Sequence, residues 1–335
     1  MRYLVTGGSG FLGRHLVRRL LKEGHAVVSL ARRRSSTLEK LGVEQAKGDV
    51  LDEAAFLAAA KGTDGLFHCA GRVDRDASTT ELMRLHVEGA RLAVEVAAKT
   101  SKRVVLASTS GVVGISDDAS HVADDASPYA VELAAKWPYY LSKIYAEKAA
   151  RAAAERGGVQ LVIARPSLLL GPGDRRLSSS GDVLRCLRGQ LRVVTPGGLA
   201  MVDARDAAAG LALMMAKGRA GEAYLLNALN ATVEDFFRRV ATLAQVAAPQ
   251  LVIGGAAARA GAMAVELASK LFKRDAPLDR ASVEMGLRYW YVDATKAKAE
   301  LGWTPRDPGV TLRDTVKYLR KRHLPSDPPA TSRAI

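Results

Sequence analysis

Two cysteines, Cys69 and Cys186, are all that the 335 residues contain. That excludes a disulfide framework and suits a reducing, cytoplasmic compartment. Aromatic residues are sparse at 5%, and none interleave with the basic clusters Arg32-Arg33-Arg34 and Arg320-Lys321-Arg322. The net charge of +14 therefore reads as solvated Arg and Lys on helix faces, and no nucleic-acid partner is expected. No uncharged run is long enough to span a bilayer. The most apolar stretch, Leu251 to Lys273, is broken by Arg259, Glu266 and Lys270, seven and four residues apart. Those three form one narrow polar stripe on a helix, which packs on a domain, walls an apolar pocket or at most lies on a membrane surface. No secretory leader is expected, because residues 2 to 5 already read as a strand. No metal is expected. Apolar content of 48% and charged content of 25% are those of a soluble enzyme with a large core.

What is present begins at once. Tyr3-Leu4-Val5 is a short apolar run, Thr6-Gly7-Gly8-Ser9-Gly10-Phe11-Leu12-Gly13 follows, and His15-Leu16-Val17 with Leu20-Leu21 has helical spacing. A strand, a glycine-spaced turn and a helix open a dinucleotide-binding βαβ unit. Gly7 allows the tight turn, Gly10 lets the backbone approach a pyrophosphate, and Gly13 lets helix and strand pack closely. The phosphates then face the unpaired N–H groups and positive dipole end of the helix. The second strand, Ala26 to Leu30, ends near an acid when such a site is built for NAD. Here Arg32-Arg33-Arg34-Ser35-Ser36 stands instead, and no carboxylate follows until Glu39. Guanidinium and hydroxyl groups suit a 2′-phosphate, so NADP(H) is the expected cofactor, with NAD the alternative.

Strands are expected at Val43 to Ala46, Asp64 to Cys69, Arg103 to Ala107 and Gln160 to Ala164. Helices are expected at Leu51 to Ala60, with Asp52 as its cap, at Thr79 to Lys99, and at Trp137 to Arg156. This alternation through residues 1 to 165 implies an α/β fold, a Rossmann doubly wound parallel sheet. Cys69-Ala70-Gly71 is a small-residue turn that admits a cofactor. Two polar groups fall outside the carboxyl ends of strands, where such sheets carry their sites. One is Ser108-Thr109-Ser110-Gly111; the other is Tyr139-Tyr140-Leu141-Ser142-Lys143. Tyr139 and Lys143 lie one helical turn apart, and an ammonium beside a phenol lowers its pKa toward neutrality. Tyr139 is thereby a candidate general acid or base.

This ordered set resembles the extended short-chain dehydrogenase/reductase superfamily. Gly48-Asp49-Val50, Arg165-Pro166-Ser167, Gly171-Pro172-Gly173 and Leu301-Gly302-Trp303-Thr304-Pro305 extend the resemblance over residues 1 to 320. It implies that Phe11 and Leu12 approach the pyrophosphate through their backbone and that Asp49 and Val50 contact adenine. It makes Tyr139 the catalytic acid/base, and gives Lys143 the nicotinamide ribose as well as the lowering of the phenol pKa. Thr109 orients the substrate oxygen, with Ser108 or Ser110 as near substitutes, and Pro166 to Leu168 line the carboxamide. Helices 79–99 and 137–156 are those that commonly form a homodimer interface in the family. The chain departs from the family at His86, where an Asn is common.

Beyond residue 165 a mainly substrate-binding region is expected to residue 322, with segments near 200–220 returning to the first domain and 323–335 as a flexible tail. Gly171 to Gly181 reads as a loop whose Arg175-Arg176 are solvated. Helix 207–217 follows Met201 to Asp206; Tyr224 to Leu226 reads as a strand and Thr232 to Ala244 as a helix. The Arg-Pro-Gly-Asp type of motif of sugar-nucleotide epimerases is absent; Gly286 to Asp293 looks more like the 3β-hydroxysteroid dehydrogenase and dihydroflavonol-reductase-like branch. The expectation is an oxidoreductase that interconverts a secondary alcohol and a ketone on a largely apolar substrate. The alternatives are a sugar-nucleotide epimerase or dehydratase and a non-catalytic NADP-binding sensor.

Overall fold

A computed structural model describes residues 1–73, 77–261, 263 and 280–324. Seven parallel strands form the central sheet in the order β10-β6-β5-β4-β1-β2-β3. Its strands are β1 (Arg2–Thr6), β2 (Ala26–Ala31), β3 (Glu44–Lys47), β4 (Gly65–His68), β5 (Arg103–Ala107), β6 (Gln160–Pro166) and β10 (Ala223–Leu226). The first helices are α1 (Phe11–Lys22), α2 (Ser36–Glu39), α3 (Glu53–Ala60), α4 (Thr79–Met83) and α5 (Gly89–Ala98). They are followed by α6 (Val131–Ala134), α7 (Pro138–Gly157), α8 (Gly181–Leu187), α9 (Ala204–Lys217) and α10 (Val233–Ala244).

Period-two alternation sends neighbouring side chains to opposite faces of the sheet. Val5, Phe67, Val105, Val162 and Tyr224 pack one core with Leu16 and Leu20 of α1 and Leu211 and Met214 of α9. Leu4, Leu66, Val104, Leu106 and Ile163 face the other way, onto Phe56 of α3, Val94 of α5 and Ala150 of α7. Both faces are covered, as an all-parallel sheet requires. β1 pairs with both β2 and β4, so the strand order reverses between β1 and β4. The crevice at that reversal is where sheets of this kind take a ligand.

The predicted strands and long helices are found with boundaries moved by at most three residues, and Asp52 caps α3 by accepting from the Ala55 N–H. The 79–99 helix departs from expectation: between α4 and α5 it widens into a π turn, Arg84–Glu88. Helix α9 begins at Ala204, because Gly198–Asp203 is a strand, β9, and the Asp203 side chain caps the helix.

A second body of structure follows β6. β7 (Leu168–Leu170), β9 and β11 (Leu229–Thr232) form a three-stranded sheet, while β8 (Val193–Val194) pairs with β12 (Leu251–Val252). Leu184 of α8, Phe236 and Val240 of α10, and Leu312, Val316 and Leu319 of the helix Pro308–His323 make its core. Residues 255–261 are helical, but Glu266, Lys270 and the tail beyond Leu324 lie outside the described residues, as do residue 262 and residues 264–273 of the apolar stretch. No helix among the described residues is long and apolar enough to cross a membrane.

Candidate active site

The turn between β1 and α1 is built on close backbone contact. Gly7 has φ +69°, and a Cβ there would lie 2.6 Å from the Cys69 carbonyl oxygen. A Cβ on Gly13 would collide with the Gly7 carbonyl oxygen and come within 2.9 Å of the Gly8 Cα. The Thr6 hydroxyl fastens this turn to the end of β4: it accepts from the Ala70 N–H at 3.2 Å and lies 3.1 Å from His68 Nδ1. Gly10 caps α1 with no side chain, and the first turn of the helix carries no acid. The N–H groups around Phe11 and Leu12 are left for an anion. A tight glycine turn, an uncapped helix start and the small Cys69-Ala70-Gly71 turn across from it fit a dinucleotide pyrophosphate.

Toward the other edge of the sheet, Arg32 after β2 and Asp49 after β3 approach to 4.0 Å, with the arginine side chain largely in solvent. Asp49 also accepts from the Leu51 N–H at 3.0 Å, and Val50 is buried beside it. Arg175 is exposed, in line with a solvated side chain, and its guanidinium donates to Thr37 Oγ1 at 3.4 Å. The loop that carries it is tied to α1, where the Gly173 carbonyl accepts from Arg14 and the Pro172 carbonyl lies 2.9 Å from His15 Nε2.

The hydroxyl cluster and the Tyr–Lys couple meet at the end of β5. Pro138 opens α7, which suits a proline at the first helical position, so Tyr139 and Lys143 occupy its first two turns. Lys143 is buried and donates to the Ala107 carbonyl at 3.0 Å. A Cβ on Gly71 would stand 3.5 Å from Lys143 Nζ, so the β4 turn, the end of β5 and α7 converge on this ammonium. Thr109 caps a short 3-10 turn, Ser110–Val112, through its hydroxyl and is partly exposed, whereas Ser108 and Ser110 are buried. Of these three residues Thr109 is the most exposed. Pro166 lies at the end of β6, paired with Leu226 of β10. Arg32 and Asp49 stay apart from this group, three and four strands from β5 in the sheet.

The electrostatics correct one expectation. Burial raises the Tyr139 phenol above its ordinary value, and the neighbouring Tyr140 pushes the same way; the phenol is not lowered. The ammonium is desolvated as well, which lowers Lys143 to about 8 against the opposing influence of Cys69 and Glu147. His68 is held neutral at about 3 and Cys69 is pushed up to about 12, in both cases mainly by burial. His68, His86, Ser108, Lys143 and Glu147 line one small pocket.

Three neighbours were not singled out as site residues from the sequence. Tyr140 packs on Tyr139 at 5.1 Å between ring centroids, Trp290 packs on Tyr140 at 4.8 Å, and Ser142 links Tyr139 to His86. The adjacency of Tyr139-Tyr140 was visible, but Trp290 arrives from a distant segment that bridges to Ser116 through Tyr289.

Residues 3–227 match the model of the NAD dependent epimerase/dehydratase family. The chain belongs to that family. A putative dihydroflavonol 4-reductase of Synechocystis sp. is 31% identical over 331 residues, 95% of this chain and 94% of that one. Sterol demethylase protein B of Methylococcus capsulatus is 31% identical over 332 residues, covering 97% and 100%. A 2-alkyl-3-oxoalkanoate reductase of Stenotrophomonas maltophilia is 31% identical over 338 residues, covering 96% and 98%. Among solved structures, gox2253 superposes with a TM-score of 0.84 at 27% identity over 97% of this chain and 99% of that one. A dTDP-glucose 4,6-dehydratase of Streptomyces venezuelae, with NAD bound, gives 0.76 at 23% identity, covering 96% and 98%, a likeness of fold. As a member of this epimerase/dehydratase family, of the extended short-chain dehydrogenase/reductase type, the protein is an NAD(P)-dependent oxidoreductase.

Proposed function

We propose that the protein reduces a ketone to a secondary alcohol, reversibly, on a largely apolar substrate and with a preference for NADP(H). The observation that carries this reading is that Lys143, one helical turn after Tyr139 on α7, donates to the last residue of β5, directly before the Ser108-Thr109-Ser110 cluster in which Thr109 is the partly exposed member. The bound dinucleotide supplies the hydride, and the protein's residues do the rest. Thr109 donates a hydrogen bond that orients the carbonyl oxygen. Tyr139, whose raised phenol keeps its proton at neutral pH, delivers that proton to the oxygen as it gains charge. The Lys143 ammonium holds the ribose and favours the phenolate left behind. The packed rings of Tyr140, Trp290 and Trp137 support an apolar substrate wall beside Tyr139, as do the names of the relatives that reduce dihydroflavonols and alkyl-oxoalkanoates. Arg32, Ser35 and the Arg175–Thr37 contact support the 2′-phosphate. The two unpaired cysteines suit work in the cytoplasm.

The test is consumption of NADPH or NADH against a dihydroflavonol, a 3-oxosteroid and a 2-alkyl-3-oxoalkanoate. Net oxidation with at least one apolar ketone, faster with NADPH, is expected. Arg32→Ala is expected to weaken NADPH about tenfold, in the range of one charged hydrogen bond, and to leave NADH unchanged. A protein that isomerises or dehydrates a sugar nucleotide with no net cofactor turnover is instead an epimerase or dehydratase. Full biological activity in Tyr139→Phe with cofactor binding retained points to the sensor.

A further inference from the structure

His86 sits in the π turn Arg84–Glu88, buried, and both its ring nitrogens are engaged. The backbone N–H of Arg72 donates to Nε2 at 3.0 Å, so Nε2 holds a lone pair and the ring proton is on Nδ1. Nδ1 is 2.8 Å from Ser142 Oγ. The Ser142 hydroxyl proton is used on the Tyr139 carbonyl oxygen at 2.7 Å, which leaves Oγ to accept from Nδ1–H. Each bond thus fixes the direction of the next, from Arg72 through His86 and Ser142 to Tyr139. The rings of His86 and Tyr139 also meet edge to face, 5.8 Å apart at 83°. At the other end of the chain Arg72 follows Gly71, where a Cβ would stand 3.3 Å from His86 Nε2.

We infer that His86 is a positioning residue, which ties the cofactor-side turn Gly71–Arg72 to the first turn of α7 and so holds the backbone and ring of Tyr139 in place. A cation at this position would set an Nε2–H against the Arg72 N–H; burial, with Lys143 and His68 nearby, keeps the ring neutral by pushing it down to about 2. A catalytic group displaced by an ångström loses roughly a hundredfold in rate, so a tie of this kind acts on turnover before it acts on binding.

The inference rests on the role proposed for Tyr139, and the experiment separates the two. In wild-type protein labelled with 15N-histidine, the His86 ring is expected to show the Nδ1–H tautomer unchanged from pH 5 to 8; an Nε2–H tautomer, or titration in that range, overturns the tie. With NADPH and a 2-alkyl-3-oxoalkanoate as probes, Ser142→Ala and His86→Phe are each expected to lower kcat roughly ten- to a hundredfold, with the dissociation constant for NADPH within about twofold of wild type. His86→Phe keeps a ring against Tyr139 and removes only the polar links; should it fail to fold, Ser142→Ala and the tautomer decide. Wild-type kcat in Ser142→Ala overturns the inference. Wild-type kcat in Tyr139→Phe sinks the earlier reading instead, while the tautomer still reports on the tie.

Discussion

The ammonium of Lys143 donates to the carbonyl oxygen of Ala107, and that bond is where α7 meets the last residue of β5. It places a desolvated charge one residue before the Ser108-Thr109-Ser110 cluster.

That charge has a pH signature. Burial lowers Lys143 from 10.5 to about 8. Between those two values the unfolded chain keeps a proton that the folded protein has released, so stability rises with pH across that window. Below pH 8 both states are protonated and the folded state carries the full cost, on the order of 3 kcal/mol. Lys143→Met is therefore expected to melt higher than wild type at pH 7, with the gap closing toward pH 10, while turnover falls about a hundredfold or more. Thermal melts of both proteins from pH 7 to 10 check this; a gap that does not change with pH would mean that the lysine is not its source.

Gly13 has no room for a methyl group. Gly13→Ala drives a Cβ into the Gly7 carbonyl oxygen, which is backbone and has little freedom to yield. A loss of about 1–3 kcal/mol of stability is expected from overpacking. NADPH binding should fall further than stability, because α1 and the turn must part where the pyrophosphate is received. Urea unfolding beside a cofactor titration measures both, and wild-type affinity would refute the assignment of this turn.

One helical turn past Lys143, Glu147 is fully buried and pairs with Arg165 of β6 at 2.7 Å. The Tyr129 hydroxyl donates to the same carboxylate at 3.0 Å. Arg165→Met leaves that carboxylate without its cation and is expected to cost about 3–5 kcal/mol. Glu147→Leu combined with Arg165→Met should recover most of the loss, since both charges then leave the interior together. Equilibrium unfolding of the single and double variants decides; a double variant as unstable as the single one would show that the pair is needed for more than its mutual neutralisation.

How far the sequence could be read depended on how local each feature is. The β1–turn–α1 unit was legible because its glycines sit at spacings set by one turn, and the contacts of Gly7 and Gly13 with nearby backbone explain them. The three-stranded sheet was not, because Leu168 pairs with Met201 and Met201 with Leu229, matches across some thirty residues between strands too short to show a period. The shift of Tyr139 was misread for a related reason. A lysine one turn away is visible in the sequence, but the burial that outweighs it belongs to the packed cleft. His86 stood out as an unusual residue for its place, yet its partner Ser142 lies 56 positions along the chain, and no spacing rule joins them.

The wide turn at Arg84–Glu88 amounts to one residue more than regular winding needs. Helical residues are set about 100° apart around the axis, so excising one residue there would restore an even helix and leave the strands untouched. Everything upstream would be turned by that angle against α5, and an imidazole now aimed at α7 would face elsewhere. An ancestor with an unbroken helix would have had the same architecture and a differently braced tyrosine. A single-codon insertion is enough to separate them.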